Sequence, residues 1–293
     1  MTMSPDTSNP GKNKVPALPP GLYVVATPIG NLADITARAI TVLRAADAIA
    51  CEDKRVTAKL LHAHGIATPL LSYHDHNGAQ MRPILLQRMR EGQAIALVSD
   101  AGTPLIADPG FKLVRAAQDD GLAVHPLPGA SAALAALSVS GLPTDRFWFE
   151  GFLPAKAKAR QQALVALKDL RATLIFYESA QRTPQTLAAM AEIFGPREAV
   201  LARELTKQFE TVRRRVLPDL AAAAAHDDQL KGEVVLLVAG ATQTADPNQQ
   251  LDALLAEALA SLSTKEAAAA VSWTLNLPRR TVYQRALELN RDR

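Results

Sequence analysis

From Gly21 onward the sequence alternates short apolar runs with segments of helical length, and this alternation constrains the fold more than any other feature. Five runs are typical of strands, and each precedes a segment long enough for a helix: residues 22–26, 48–51, 70–73, 94–99 and 122–125. Strands that alternate with helices pair in parallel, because each helix returns the chain to the same end of the sheet. The first half therefore predicts a mostly parallel α/β sheet that is covered on both faces.

The second half is less regular but has the same α/β character. Strands are predicted at residues 146–152, 173–177, 199–203, 211–217 and 233–239, helices at 186–194 and 219–225, and a basic loop at 154–160. Gly141 and Pro143 break the earlier pattern, and a polar linker follows Gly240. We predict four parts: a disordered tail (1–19), an N-terminal α/β domain (20–142), a second α/β domain (143–240), and a linker with a helical, helix-turn-helix-like segment (241–293).

Composition restricts the function classes. The chain has 293 residues, 48% of them hydrophobic, with a formal net charge of +3 and a pI near 9.0, so it can form a core and accept an anionic partner. The single cysteine, Cys51, excludes an internal disulfide and is expected to be buried. No apolar stretch approaches the roughly 18 residues that span a bilayer, and residues 1–19 lack an apolar signal core. We expect a cytoplasmic protein without a membrane partner.

Three loops rich in glycine and proline follow the first, fourth and fifth predicted strands. They are residues 27–31, 99–104 (continuing to 108–110) and 126–132. Ligands bind at the carboxyl ends of parallel strands, and such loops expose main-chain groups in fixed directions. None matches the glycine pattern for a dinucleotide or a triphosphate, which favours a smaller cofactor held by main-chain contacts. Each loop taken alone is also typical of an ordinary turn.

In their order and setting the three loops resemble those of the tetrapyrrole methylase superfamily, the class III methyltransferases. Further stretches resemble its small-subunit ribosomal RNA branch: residues 24–36, 74–77, 99–110, 150–156, 175–179 and 202–207. The resemblance implies two α/β domains of the tetrapyrrole-methylase-like fold, with S-adenosylmethionine in the cleft between them and a small helical C-terminal segment. It also implies 2′-O-methylation of a cytidine ribose in the decoding region of 16S rRNA, on free rRNA or the assembled 30S subunit, by a homodimer.

The resemblance also implies which residues form the cofactor site. Carried over by position, the cofactor contacts are Pro28, Ile29, Gly30, Ala101, Gly102, Thr103, Ile106, Ser131, Ala132 and Tyr177.

A ribose hydroxyl is a weak nucleophile, and a positioned base accelerates its reaction by about two to four orders of magnitude. We take Glu52, Asp53, Glu178 and Glu204 as candidate bases, with Lys207 and Arg203 as electrostatic partners; the catalytic set we favour is Glu52, Asp53, Glu178 and Lys207. An alternative for Glu52 and Asp53 is that they stabilise the start of the following helix through Arg55 and the helix dipole.

For RNA binding we predict exposed cations: Lys156, Lys158, Arg160, Lys207, Arg213, Arg214 and Arg215. The alternative is a solvated charged face. Arg279, Arg280 and Tyr283 supply a second RNA contact or belong to a segment that caps a domain or aids dimerisation. The histidines at 62, 64, 74 and 76 lie on different elements without a cysteine pair, so we expect no metal site and interpret residues 74–77 as an RNA or active-site wall.

Two other functions stay open at this level. One is methylation of a tetrapyrrole or corrinoid, or of a modified histidine of the diphthine type. The other is a non-enzymatic nucleic-acid-binding regulator that uses the C-terminal helices.

Overall fold

Two five-stranded sheets organise residues 1–240, and three helices form a separate unit over residues 241–293. The structure is a computed structural model that describes residues 17–227, 229–242, 247–275 and 277–291. Residues 1–16 of the predicted tail lie outside the described residues. In the described part, no helix is both long and apolar enough to cross a bilayer.

The first sheet is parallel throughout, as predicted. Its strands, in the spatial order β3-β2-β4-β1-β5, are β1 (Gly21–Val25), β2 (Ala48–Cys51), β3 (Leu70–Ser72), β4 (Ala94–Val98) and β5 (Val124–Leu127). The helices between and after them are α1 (Ala37–Ala45), α2 (Lys54–Ala63), α3 (Gly78–Arg90), α4 (Phe111–Asp119) and α5 (Ala132–Ser140). Strand side chains alternate between two apolar clusters: Leu22 packs in one and Tyr23 in the other.

This strand order explains why three distant loops meet. Strand β1 pairs with β4 on one side and with β5 on the other, both in parallel. The loops that leave the carboxyl ends of these three strands therefore emerge side by side at one edge of the sheet.

The second sheet is mixed. Its strands, in the order β6-β7-β10-β8-β9, are β6 (Phe147–Phe152), β7 (Thr173–Ser179), β8 (Glu198–Arg203), β9 (Thr211–Val216) and β10 (Glu233–Val238). Only the β6–β7 pair is parallel among the described pairings. One face is covered by α6 (Ala157–Leu167), α7 (Thr183–Phe194) and α8 (Leu217–Ala225), and the other packs against α5.

Helix α6 corrects the expectation of a basic loop over residues 154–160. The helix begins at Ala157, so Lys158 and Arg160 are helical. Alanine, lysine, glutamine and arginine, which make up most of its first turns, are strong helix formers. The charge of this segment suggested a loop, whereas its helix propensity was the better guide.

The carboxylate of Glu178, a candidate base, makes structural contacts. Neighbouring strand residues point to opposite faces of a sheet, and Tyr177 faces the α5 side. The Glu178 carboxylate instead accepts hydrogen bonds from Thr186 Oγ1 (2.8 Å) and Ser179 N (2.9 Å) and pairs with Arg182 (3.3 Å). With the residue only 3% exposed, this carboxylate anchors α7 to β7.

The C-terminal unit contains α9 (Pro247–Ala258), α10 (Thr264–Leu275) and α11 (Arg279–Arg291). The buried residues of its apolar cluster are Leu251, Leu255, Ala268, Val271, Val282 and Ala286. Ser263 and Glu266 form a reciprocal cap at the start of α10, and Arg285 of α11 makes a two-pronged ion pair with Asp252 of α9.

The position of Glu178 generates a stability prediction. Glu178→Gln should lower the free energy of unfolding by about 1–3 kcal/mol, because buried hydrogen bonds to a charged group are lost or weakened. Urea unfolding measures this change, with exposed Glu192→Gln on α7 as the control. Equal stabilities for the two variants would contradict an anchoring role.

Candidate active site

Main-chain hydrogen bonds join the loops that follow β1 and β4. Thr27 N donates to Gly102 O (2.8 Å) and Gly102 N donates to Thr27 O (3.0 Å), which makes an isolated antiparallel bridge between them. Thr103 Oγ1 then donates to Ala130 O (3.1 Å) in the loop after β5. The three loops therefore form one connected surface at the carboxyl edge of the parallel sheet.

A cavity of about 350 Å³ lies between this surface and the second sheet. Eight of the ten residues carried over as cofactor contacts line it: Ile29, Ala101, Gly102, Thr103, Ile106, Ser131, Ala132 and Tyr177. Pro28 and Gly30 do not. The second sheet contributes the candidate base Glu178, together with wall residues that the sequence did not propose as site residues: Phe152, Ser179, Ala202, Leu205, Gly232, Glu233, Val234 and Val235.

Gly102 brings the main chain to the cavity surface. Its φ is +76°, a conformation that disfavours residues with a Cβ atom. A Cβ placed there would lie 3.4 Å from Ile29 Cγ2 and 3.7 Å from Ala130 O. Leu105 and Ala107 nearby also have positive φ, at 74° and 66°, so this loop keeps an uncommon conformation where it lines the cavity.

Tyr177 connects the second sheet to α5. Its hydroxyl oxygen accepts a hydrogen bond from Ala133 N (3.2 Å) in the first turn of that helix. Phe149 and Phe152 contact its ring edge-on, with centroids 4.9 and 5.6 Å away. Burial raises the pKa of Tyr177, so the phenol stays neutral near pH 7. The ring forms an apolar wall whose orientation is fixed by these three groups.

Asp108 is a titratable group of the cavity that the sequence did not indicate as a site residue. Burial, and to a smaller extent the charges of Glu52 and Asp100, raise its pKa to about 6, while a hydrogen bond from Ser99 opposes the shift. Asp, Pro and Gly are common in turns, so the sequence of residues 108–110 predicted only a loop. A carboxylate with a displaced pKa inside a cavity is a signal of function that only the fold could reveal.

Asp53 and Glu52 differ in their surroundings. Asp53 caps α2: it accepts a hydrogen bond from Arg55 N (2.8 Å) and pairs with the Arg55 guanidinium (2.7 Å). Hydrogen bonds from Arg55 lower the pKa of Asp53 to about 2, which makes it a poor base and favours the helix-stabilising alternative. Burial, followed by the charge of Asp100, raises the pKa of Glu52, but Glu52 does not line the cavity.

Lys207 lies against the first loop. Its Nζ donates to Glu204 Oε1 (2.9 Å) and Glu233 Oε2 (2.8 Å). Burial alone would lower the pKa of Lys207, but the hydrogen bonds to the two glutamates raise it, so the amine stays cationic and cannot serve as a base. A Cβ on Gly30 would lie 2.4 Å from Lys207 Cγ, so only glycine permits this contact.

The candidate base Glu204 and the proposed electrostatic partner Arg203 both make structural contacts. Glu204 accepts hydrogen bonds from Lys207 Nζ and Glu233 N, and Arg203 donates to Gln229 O (2.8 Å) and Thr211 Oγ1 (3.3 Å). These bonds tie the ends of β8, β9 and β10 together.

The predicted RNA-binding cations differ in exposure and in pairing. Lys156 and Lys158 are exposed at the start of α6, whereas Arg160 is 5% exposed and donates to Ala155 O (3.3 Å) and Gln185 Oε1 (3.4 Å). A buried arginine cannot contact an RNA phosphate, so Arg160 is no longer a candidate for RNA binding.

The run Arg213, Arg214 and Arg215 lies on the edge strand β9, where successive side chains point to opposite faces. Arg213 pairs with Asp227 (2.6 Å), and Arg214 pairs with Glu198 (3.0 Å) and approaches Gly141. Arg214 therefore points to the face opposite to that of Arg213 and Arg215.

The histidines contribute no metal cluster in the described part of the chain, where no group of three or more His, Cys, Asp and Glu side chains could hold an ion. His74 and His76 make an edge-on ring contact, with centroids 5.9 Å apart.

Comparison with known proteins agrees with this architecture. The family model described as Tetrapyrrole (Corrin/Porphyrin) Methylases matches residues 21–221, and the model described as RsmI C-terminal HTH domain matches residues 245–290. A uroporphyrin-III C-methyltransferase from Thermus thermophilus, solved with S-adenyl homocysteine, has a TM-score of 0.51 at 18% identity, over 75% of this chain and 97% of that one.

Two relatives match almost the whole chain, and both are named Ribosomal RNA small subunit methyltransferase I. The protein from Mesorhizobium japonicum is 48% identical over 95% of this chain and 96% of its own length, and the one from Escherichia coli O157:H7 is 49% identical over 91% and 94%. The chain therefore belongs to the tetrapyrrole methylase family of S-adenosylmethionine-dependent methyltransferases and, within it, to the ribosomal RNA small subunit methyltransferase I group.

Proposed function

We propose that this enzyme methylates small-subunit ribosomal RNA, at the 2′ hydroxyl of a cytidine ribose in the decoding region. The observation that carries the proposal is the 48–49% identity to the two named relatives over more than nine-tenths of the chain. The identity of the nucleotide as a cytidine, and of the acceptor as its 2′ hydroxyl, is implied by the sequence resemblance. We further propose that the enzyme is a cytoplasmic homodimer that acts on free rRNA or on the assembled 30S subunit.

The residues of the cavity fit S-adenosylmethionine. The cavity volume lies within the range of small-molecule sites, about 300–1,000 Å³. Gly102 leaves room for close main-chain approach, and Ile29, Ile106 and Tyr177 supply apolar surface. Asp108 supplies a carboxylate, which suits a cationic ligand.

When bound, S-adenosylmethionine supplies a methyl group activated by a positively charged sulfur. The chain's contribution is to hold the acceptor oxygen in line with that methyl group, and such orientation accounts for several kcal/mol of barrier reduction in general. We propose that the main chain of residues 101–103 and 131–132 fixes the donor and that Asp108 holds its positive charge. Lys207, cationic and close to Gly30, would attract the RNA backbone.

The base that removes the ribose proton is a separate question. Of the four favoured catalytic residues, Glu52 keeps a raised pKa and is only partly buried, so we retain it as the candidate base. Asp53, Glu178 and Lys207 are better explained as a helix cap, a helix anchor and a cation.

For the RNA surface, Lys156, Lys158 and Arg215 remain the candidates, because all three are exposed and lack ion pairs with described residues. The two arginine pairs on β9 would have to open before they could bind phosphate. A tetrapyrrole substrate receives less support, since the relatives named for corrin and porphyrin chemistry are only 16–22% identical.

The proposal is tested by mass spectrometry of ribosomal RNA from cells with and without the gene. We expect one 2′-O-methyl group on a small-subunit cytidine to disappear in its absence and to return with the wild-type gene. Unchanged small-subunit RNA, or a change in a porphyrin or corrin instead, would refute it.

Gly102→Val should abolish measurable S-adenosylmethionine binding, because the side chain would occupy the approach of the donor. The positive φ adds a strain of about 1–2 kcal/mol to folding in any case. Gly121→Val is the matched control, since Gly121 has a φ of +70° and no atom within 4 Å of its added Cβ. In calorimetry the control should bind like the wild type; comparable losses in both variants would assign the effect to strain alone.

The proposed role of Asp108 predicts a pH dependence. A raised pKa near 6 means that the carboxylate is ionised at pH 7 and protonated at pH 5, so affinity for the cationic donor should fall as pH falls through 6. Asp108→Asn should weaken binding at pH 7.5 by about 10- to 100-fold and remove this dependence. Asp53→Asn can keep the helix cap, so it should change neither the affinity at pH 7.5 nor the pH dependence. A pH-dependent affinity in Asp108→Asn would contradict the assignment.

A further inference from the structure

A second cavity, of about 180 Å³, shares Asp108 with the first. Its walls come from the segment after β3, from α3 and from the start of α4. The lining residues that matter here are Tyr73, His74, Arg82, Phe111 and Lys112. Because one residue lines both cavities, a group bound in the second would lie next to the methyl donor in the first.

Unpaired cationic and polar groups line this second cavity. Arg82 on α3 and Lys112 on α4 form no ion pair with any residue that the structure describes. Arg82 Nε and His74 Nδ1 are buried and have no hydrogen-bond partner there. Buried polar atoms in folded proteins usually have partners, so two unpartnered atoms beside two unpaired cations favour a bound anion here.

The start of α4 adds main-chain donors. The helix begins at Phe111, after Gly110, and no side chain caps it. The first amides of a helix lack partners within the helix and carry partial positive charge, which favours an anion. The Phe111 ring is 67% exposed beside these amides and offers a surface on which a base or ribose can stack.

Two carboxylates also line the cavity, Asp75 and Asp108. Asp75 is exposed to solvent, which screens its charge. Asp108 also lines the first cavity, where the cationic donor would offset its charge. The net positive charge that remains in the cavity favours a singly charged anion between Arg82, Lys112 and the helix start.

We propose that the second cavity holds a backbone phosphate of the RNA strand next to the acceptor ribose, with Arg82 and Lys112 as positioning residues. The proposal rests on the proposed function. The volume is below the usual range for a whole small-molecule ligand, which suits a phosphate with part of its ribose rather than a macrocycle. Since the cavities share Asp108, a phosphate held there would bring the neighbouring 2′ hydroxyl towards the donor.

The test uses the full-length enzyme, labelled S-adenosylmethionine and small ribosomal subunits from cells that lack the gene. Lys112→Gln and Arg82→Gln should each raise KM for the subunits about tenfold with kcat changed less than about twofold. The slope of log KM against log salt should fall by about one, the expected loss for one phosphate contact. Affinity for S-adenosylmethionine and the free energy of unfolding should stay at wild-type values.

Lys59→Gln is the matched control, because Lys59 is exposed on α2 and lines neither cavity. A KM and salt slope equal to those of this control would overturn the subsite, as would a loss of cofactor affinity that parallels the rise in KM. If the wild-type enzyme is inactive both on these subunits and on free small-subunit rRNA from the same cells, the proposed function itself fails and the subsite fails with it. The exposed position of Lys112 means that its variant can be tested even if Arg82→Gln does not fold.

Discussion

The site depends on two main-chain hydrogen bonds between Thr27 and Gly102. They join the loop after β1 to the loop after β4, and Thr103 extends the connection to Ala130 after β5. Because these contacts are made by main-chain atoms, side-chain substitutions elsewhere change the distances between the loops little. A surface of amides and carbonyls is thereby fixed before any ligand arrives, and pre-organisation of this kind reduces the cost of ordering a site on binding.

Charge in the site follows from the same arrangement. Asp108 lies on the connected loops and is held partly out of water, so its carboxylate gains from a cationic neighbour. Lys207 reaches the first loop from the second sheet while Glu204 and Glu233 hold its amine. The described residues thus place a carboxylate in the cavity and a cation beside Gly30. This arrangement of charges suits a positively charged donor in the cavity and a polyanionic acceptor next to it.

Much of the fold was predictable because it depends on periodicity and segment length. The parallel first sheet and the convergence of its three loops follow from apolar runs separated by helix-length segments. Eight of the ten cofactor contacts implied by the resemblance line the cavity, since position along a shared fold carries over to position in space. Helix α6 was missed because the charges of Lys156, Lys158 and Arg160 outweighed helix propensity in the interpretation.

Side-chain roles were less predictable, because they depend on which face of a strand meets the cavity. Tyr177 and Glu178 are neighbours in sequence and both line the cavity, yet only the tyrosine packs on the α5 side, and Arg213 and Arg214 are separated by the same alternation. Asp108 carried no distinguishing sequence signal, since its shifted pKa arises from burial and from carboxylates that come together only in the fold.

A crystal structure of the enzyme with S-adenosylhomocysteine would show whether the three connected loops form the donor site. We expect ligand density in the cavity between the two sheets, in contact with the main chain of Gly102 and of residues 131–132. Density at another position, or a cavity that stays closed by packed side chains at saturating ligand, would contradict it.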